Sequence, residues 1–178
     1  MEVLFLIIVL VMYIGVRVMI ALLYDEHQMA LKKIKTGVHL FSERKHEEAL
    51  LFFNNFLKKY PKNSLAYAYR GKCHLAMENY YAAIADCAKA SSFSEDIPET
   101  YLDKGIALFK LALYKEALLE LDKAVWHLKN NASAFRWRGM TKSMLNMYDR
   151  AETDFRKATE LGDEHANYYL LRKGKIEI

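Results

Sequence analysis

Residues 66–90 run AYAYRGKCHLAMENYYAAIADCAKA. The stretch is rich in alanine and free of proline, so it reads as helix. Gly71 interrupts its first half, at a cost of about 1 kcal/mol against alanine. The segment also sets Cys73, His74 and Cys87 near one another, residue types that hold metals or do redox chemistry. Both features take their meaning from the rest of the chain.

The glycine recurs. Gly37, Gly71, Gly105 and Gly139 stand 34 residues apart. Twelve residues after each comes an alanine: Ala49, Ala83, Ala117 and Ala151. Three residues before each alanine comes a ring: His46, Tyr80, Tyr114 and Tyr148. Lys33, Tyr67, Tyr101 and Phe135 precede the glycines, and Phe56, Ala90, Ala124 and Ala158 follow the alanines, each at a constant offset. So many columns kept in step are the mark of an internal repeat.

These columns resemble the tetratricopeptide repeat (TPR) family, whose unit of about 34 residues is a pair of antiparallel helices with Gly or Ala in the first and Ala in the second. The register gives units of about 30–63, 64–97, 98–131 and 132–165, then EHANYYLLRKGKIEI. There Tyr169 aligns with Tyr67 and Tyr101, and a capping helix is expected over about 164–174. Pro61 closes unit one where the family favours proline, and the other units lack it. Unit one departs most, with Lys33 and Phe56 in place of an aromatic and an alanine. The fold class implied is all-α, an α-solenoid of about four TPR helix pairs behind an N-terminal apolar helix.

The resemblance implies that glycine and alanine face each other where the helices of a unit cross, with axes about 8–10 Å apart. The propensity cost at Gly71 is then offset by close contact. Cys87 falls in the column of Phe53, Leu121 and Phe155, a core column, and so reads as a small buried hydrophobe. Cys73 and His74 are adjacent on one helix and diverge by about 100°, which does not suit one metal ion. No cofactor or metal is expected.

The first 24 residues, MEVLFLIIVLVMYIGVRVMIALLY, differ from the rest. As helix, Val3–Tyr24 rises about 33 Å, enough to cross a bilayer. A cleaved signal peptide would want basic residues before a shorter apolar core and small residues at a cleavage site. Here only Met1 and Glu2 precede the apolar run, and ALLYDEH follows it. The reading is an uncleaved anchor over 1–24 with a TPR domain over 25–178; a cleaved signal and a buried soluble helix are the alternatives. Arg17, past the centre of the span, snorkels toward the nearer interface or contacts a partner helix. Lys32, Lys33 and Lys35 after the span place the TPR domain in the cytoplasm by the positive-inside rule. The triplet Asn131-Ala132-Ser133 is a glycosylation sequon that matters only for a lumenal domain.

Composition narrows the function. Of 178 residues, 53% are hydrophobic and 27% charged, with two prolines and seven glycines, which favours long helices and short turns. The net charge of +4 is modest and carries no basic block, so nucleic acid is not an expected partner. No G-x-S-x-G, P-loop or H-E-x-x-H occurs, and no enzyme activity is expected.

In the TPR family the first helix of each unit lines a concave groove that takes extended or helical peptide segments. Projected on that basis, the groove candidates are Leu31, Ile34, Val38 and Phe41 in unit one and Leu65, Ala68, Lys72 and Leu75 in unit two. Unit three contributes Glu99, Leu102, Ile106 and Phe109; unit four contributes Ser133, Arg136, Met140 and Met144. Lys72 and Arg136 are expected to pair with acids on a ligand. Some family members clamp acidic chaperone tails with Lys, Asn and Arg. Those places fall at Ile34, Val38, Tyr69, Glu99 and Asp103, the wrong chemistry for a carboxylate. The resulting expectation is a single-pass membrane scaffold that binds a protein or peptide segment. The alternatives are a subunit of a membrane complex assembled through the span and Arg17, and a periplasmic or lumenal assembly factor. Self-association is left open.

Overall fold

The computed structural model describes the backbone of residues 2–94 and 96–171, and the side chains of these apart from 2–3 and 23–31. Among them the chain forms nine α-helices and no strand: α1 (Glu2–Ser42), α2 (His46–Lys59), α3 (Ser64–Ala76), α4 (Tyr80–Phe93), α5 (Glu99–Lys110), α6 (Tyr114–His127), α7 (Ala132–Met144), α8 (Tyr148–Glu160) and α9 (Glu164–Leu171). Each helix packs on the next, and α1, α3, α5 and α7 also touch in sequence along one side. This is a TPR-type α-solenoid of successive helix hairpins, with α9 closing its far end. The side chain of Leu31 and residues 172–174 of the expected cap lie outside the described residues.

Close contact explains the glycines. A Cβ built on Gly105 would lie 2.6 Å from Leu121 Cγ, and one on Gly139 would lie 2.8 Å from Phe155 Cε1. On Gly37 it would run into the Phe52 and Phe53 rings. At Gly71, Gly105 and Gly139 the tightest neighbour is the residue 16 positions on, at Gly37 it is Phe52, 15 positions on, and the alanine expected opposite the glycine stands beside it through its carbonyl, 3.2 Å away at Ala151. Phe53, Cys87, Leu121 and Phe155 form the fully buried column this creates, flanked by the buried Ala49, Ala83, Ala117 and Ala151.

The turn inside each hairpin repeats as well. Arg44, Glu78, Ala112 and Asn146 all adopt φ near +60°, at 58–62°. Around each, the same pair of bonds closes the preceding helix: Ala112 N–H donates to the Phe109 carbonyl, and Leu113 N–H donates to that of Leu108. That is a Schellman C-cap, which satisfies the last carbonyls and reverses the chain in three residues. A non-glycine residue there costs about 1 kcal/mol, a strain the array accepts four times. Between units, Asn63 and Asn131 turn the chain back by accepting from the N–H of Ala66 (2.8 Å) and Ala134 (3.0 Å). The sequon asparagine is therefore also the N-cap of α7.

At the N-terminus, α1 runs without interruption from the apolar segment into the first repeat unit. Leu4–Leu22 is exposed on every side and is long and apolar enough to cross a membrane, a test that a signal sequence also passes.

Candidate functional site

Ion pairs brace the hairpins at a fixed spacing. Arg70 grips Asp86 with two hydrogen bonds of 2.7 Å, Lys104 reaches Glu120 at 3.0 Å, and Arg138 grips Asp154 at 2.9 and 2.7 Å. Arg70 also donates to Asn54 (2.9 Å) and Arg138 to Asp122 (3.0 Å), both on the preceding hairpin. These rungs join second helices through the first helix between them. They were not singled out from sequence, although their charges recur at the repeat period.

The other face is formed by α1, α3, α5 and α7 side by side. Several projected groove residues are half-buried there: Leu65, Leu75, Ile106, Phe109, Met140 and Met144. Leu102 is only 7% exposed and belongs to the core around Leu121, and Ile34 and Ala68 are buried too. These three are taken up by the core and are not left for a partner.

The two expected ligand-binding cations are engaged within the chain. Arg136 Nε lies 2.7 Å from Asp163 Oδ2, and Lys72 Nζ lies 3.7 Å from Asp103 Oδ2. The projection onto single helices missed this because Asp103 comes from the next unit and Asp163 from the turn between α8 and α9. It also passed over the column one step to the side, Tyr69 and Trp137. Tyr69 packs edge-on to Phe41 at 5.9 Å, and Trp137 packs edge-on to Phe109 at 5.3 Å. Lys72 lies over the Tyr69 ring, and Arg136 over that of Trp137. The face is therefore aromatic and aliphatic, with one largely buried acid among these residues.

That acid is Asp103. Its side chain is 13% exposed and its Oδ2 accepts no hydrogen bond. Burial pushes the carboxyl up from 3.8 to about 6, against the pull of the Lys72 ammonium. As pH rises from 3.8 to about 6, the unfolded chain has already lost this proton and the folded chain gives it up at a cost, so stability falls across the window. Asp103→Asn should therefore match the parent near pH 4 and exceed it by about 3 kcal/mol at pH 7. Urea midpoints at the two pH values check this; a variant weaker at pH 7 would sink it.

The opening cluster resolves as core. Cys73 and Cys87 are both fully buried free thiols. Burial pushes Cys73 up to about 11 and Cys87 higher still, so neither is an available thiolate. His74 faces Asp86 at 3.8 Å instead.

Comparison with known proteins agrees with this architecture. No family model matches the chain. Tetratricopeptide repeat protein 12 of Homo sapiens is 25% identical over 144 residues, 79% of this chain and 20% of that protein. The chain spans between a fifth and about a quarter of the length of the curated relatives it matches. Among solved structures, MamA from Desulfovibrio magneticus RS-1 superposes with TM-score 0.69 at 19% identity, covering 81% of this chain and 85% of that one. YrrB, described as a TPR protein with an unusual peptide-binding site, superposes with TM-score 0.69 at 27% identity, covering 81% and 75%. In fold, the chain is a TPR-type α-solenoid.

Proposed function

We propose that this protein is a membrane-anchored TPR scaffold that holds a peptide segment of a protein partner in its concave trough and performs no catalysis. One observation carries the reading: Tyr69, Ile106, Phe109, Trp137 and Met140 form a half-buried apolar row that no described helix covers. Apolar surface left partly uncovered in this way marks an interaction site, and aromatic residues are the usual anchors of one. YrrB, similar in fold, has a peptide-binding site in its own description. Asp103 and Glu99 in the trough disfavour a carboxylate tail, since like charges there repel in a partly desolvated setting. The exposed Leu4–Leu22 helix supplies the anchor, and tethering raises the effective concentration of a partner on the same membrane.

The test uses the full-length protein in native membranes with a photo-crosslinking residue at Ile106 or Phe109, and at the exposed Thr153 as control. The trough positions should give partner adducts that Trp137→Asp reduces at least tenfold, a loss of about 1.4 kcal/mol or more. Equal labelling from Thr153, or adducts indifferent to Trp137→Asp, would exclude the trough. Resistance of the chain to alkaline extraction checks the anchor.

A further inference from the structure

If α1 crosses a bilayer, as proposed above, the hairpin topology decides which edge of the array faces it. α1 enters the array from its N-terminal end, and the other first helices run parallel to it. Hence the starts of α3, α5 and α7, the ends of α2, α4 and α6, and the turns between units all lie on the anchor side. The start of α3, Ser64, corresponds by the repeat to residue 30, about 12 Å of helical rise beyond Leu22. Headgroups occupy about 5–8 Å on each side of the hydrocarbon core. The edge thus stands within reach of extended lysine side chains above the headgroups.

That edge is rich in lysine, with acids only at the α4–α5 turn, Asp96 and Glu99, and at the far end, Glu160, Asp163 and Glu164, among the described residues. Lys58, Lys59, Lys62, Lys89 and Lys129 are exposed along it, and none forms an ion pair with a described residue. Three of them flank rings: Lys59 over Tyr60 (5.3 Å), Lys89 over Phe93 (5.0 Å) and Lys129 over Trp126 (5.6 Å). Trp126 is 71% exposed and has no role in the core. At the opposite edge the acids balance the cations more fully, with Glu47, Glu48 and Glu116 against Lys45 and Lys115. Lysines attract anionic headgroups within a Debye length, and tryptophan prefers the interface.

We propose that this edge docks on the anionic phospholipid headgroups of the leaflet from which α1 emerges, laying the array along the membrane. The single-tryptophan full-length protein, Trp137→Phe, is reconstituted into phosphatidylcholine vesicles with and without about 30% phosphatidylserine, each carrying a headgroup nitroxide. Trp126 quenching should be roughly twofold greater with the anionic lipid and fall back in high salt. Replacing the five lysines with glutamine should remove that gain. Moving the reporter to the other end of α6, with Trp126→Phe and Glu116→Trp added, places it about 15 Å away and should leave it unquenched. Equal quenching at both ends, or no dependence on phosphatidylserine, in protein that survives an alkaline wash overturns the docking. Protein removed by the wash overturns the anchor, and the docking with it.

Discussion

Gly105→Leu will destabilise the array by about 3 kcal/mol, although leucine is much the better helix former. The reason is contact. The first added carbon already falls 2.6 Å from Leu121 Cγ and 2.8 Å from its Cδ2, in a fully buried column. Leu121 has no open space to enter, so the two helices must separate. Gly71→Ala is the built-in control. Its added carbon meets Cys87 Sγ at 3.1 Å and the Ala83 carbonyl oxygen at 3.4 Å, a tight fit against the smallest member of the column. There the propensity gain of about 1 kcal/mol offsets most of the crowding. Urea denaturation followed by helical circular dichroism ranks them. If Gly105→Leu were no worse than Gly71→Ala, helix crossing would not be what selects glycine.

Asp154→Ala should cost as much or more, about 3–5 kcal/mol. Asp154 is 3% exposed and serves two cations at once, Arg138 through a fork of 2.7 and 2.9 Å and Lys142 at 2.7 Å. Removing it leaves both charges in a half-buried place, with only Asp122 near Arg138. Breaking one side of a desolvated pair is expensive because the surviving charge stays desolvated. The exposed pair Lys157–Glu160 on the same helix is the comparison, and Glu160→Ala should change stability by under about 1 kcal/mol. Similar losses for the two would mean that the rungs are surface decoration.

How legible was this in the sequence? The repeat was legible at the glycine, alanine and ring columns, because periodic packing demands the same residue sizes at the same places. Cys87 was legible as core from its column alone. The hairpin turns were not, since Arg44, Glu78, Ala112 and Asn146 carry no glycine to announce φ near +60°. The rungs were visible only as charges at the repeat period. That Arg70 meets Asp86, 16 residues on, follows once the turn length between two antiparallel helices is known.

The trough divides in the same way. The sequence by itself determined that first-helix residues share a face, since helical spacing is a local property of the chain. Only the tertiary structure decided which of them remain for a partner. Leu102 went into the core, Lys72 went to an acid of the following unit and Arg136 to Asp163 in the turn before α9, and Tyr69, Asp103 and Trp137 came forward. Exposure and pairing depend on how one unit is set against the next, and that geometry is a property of the stack rather than of any one repeat.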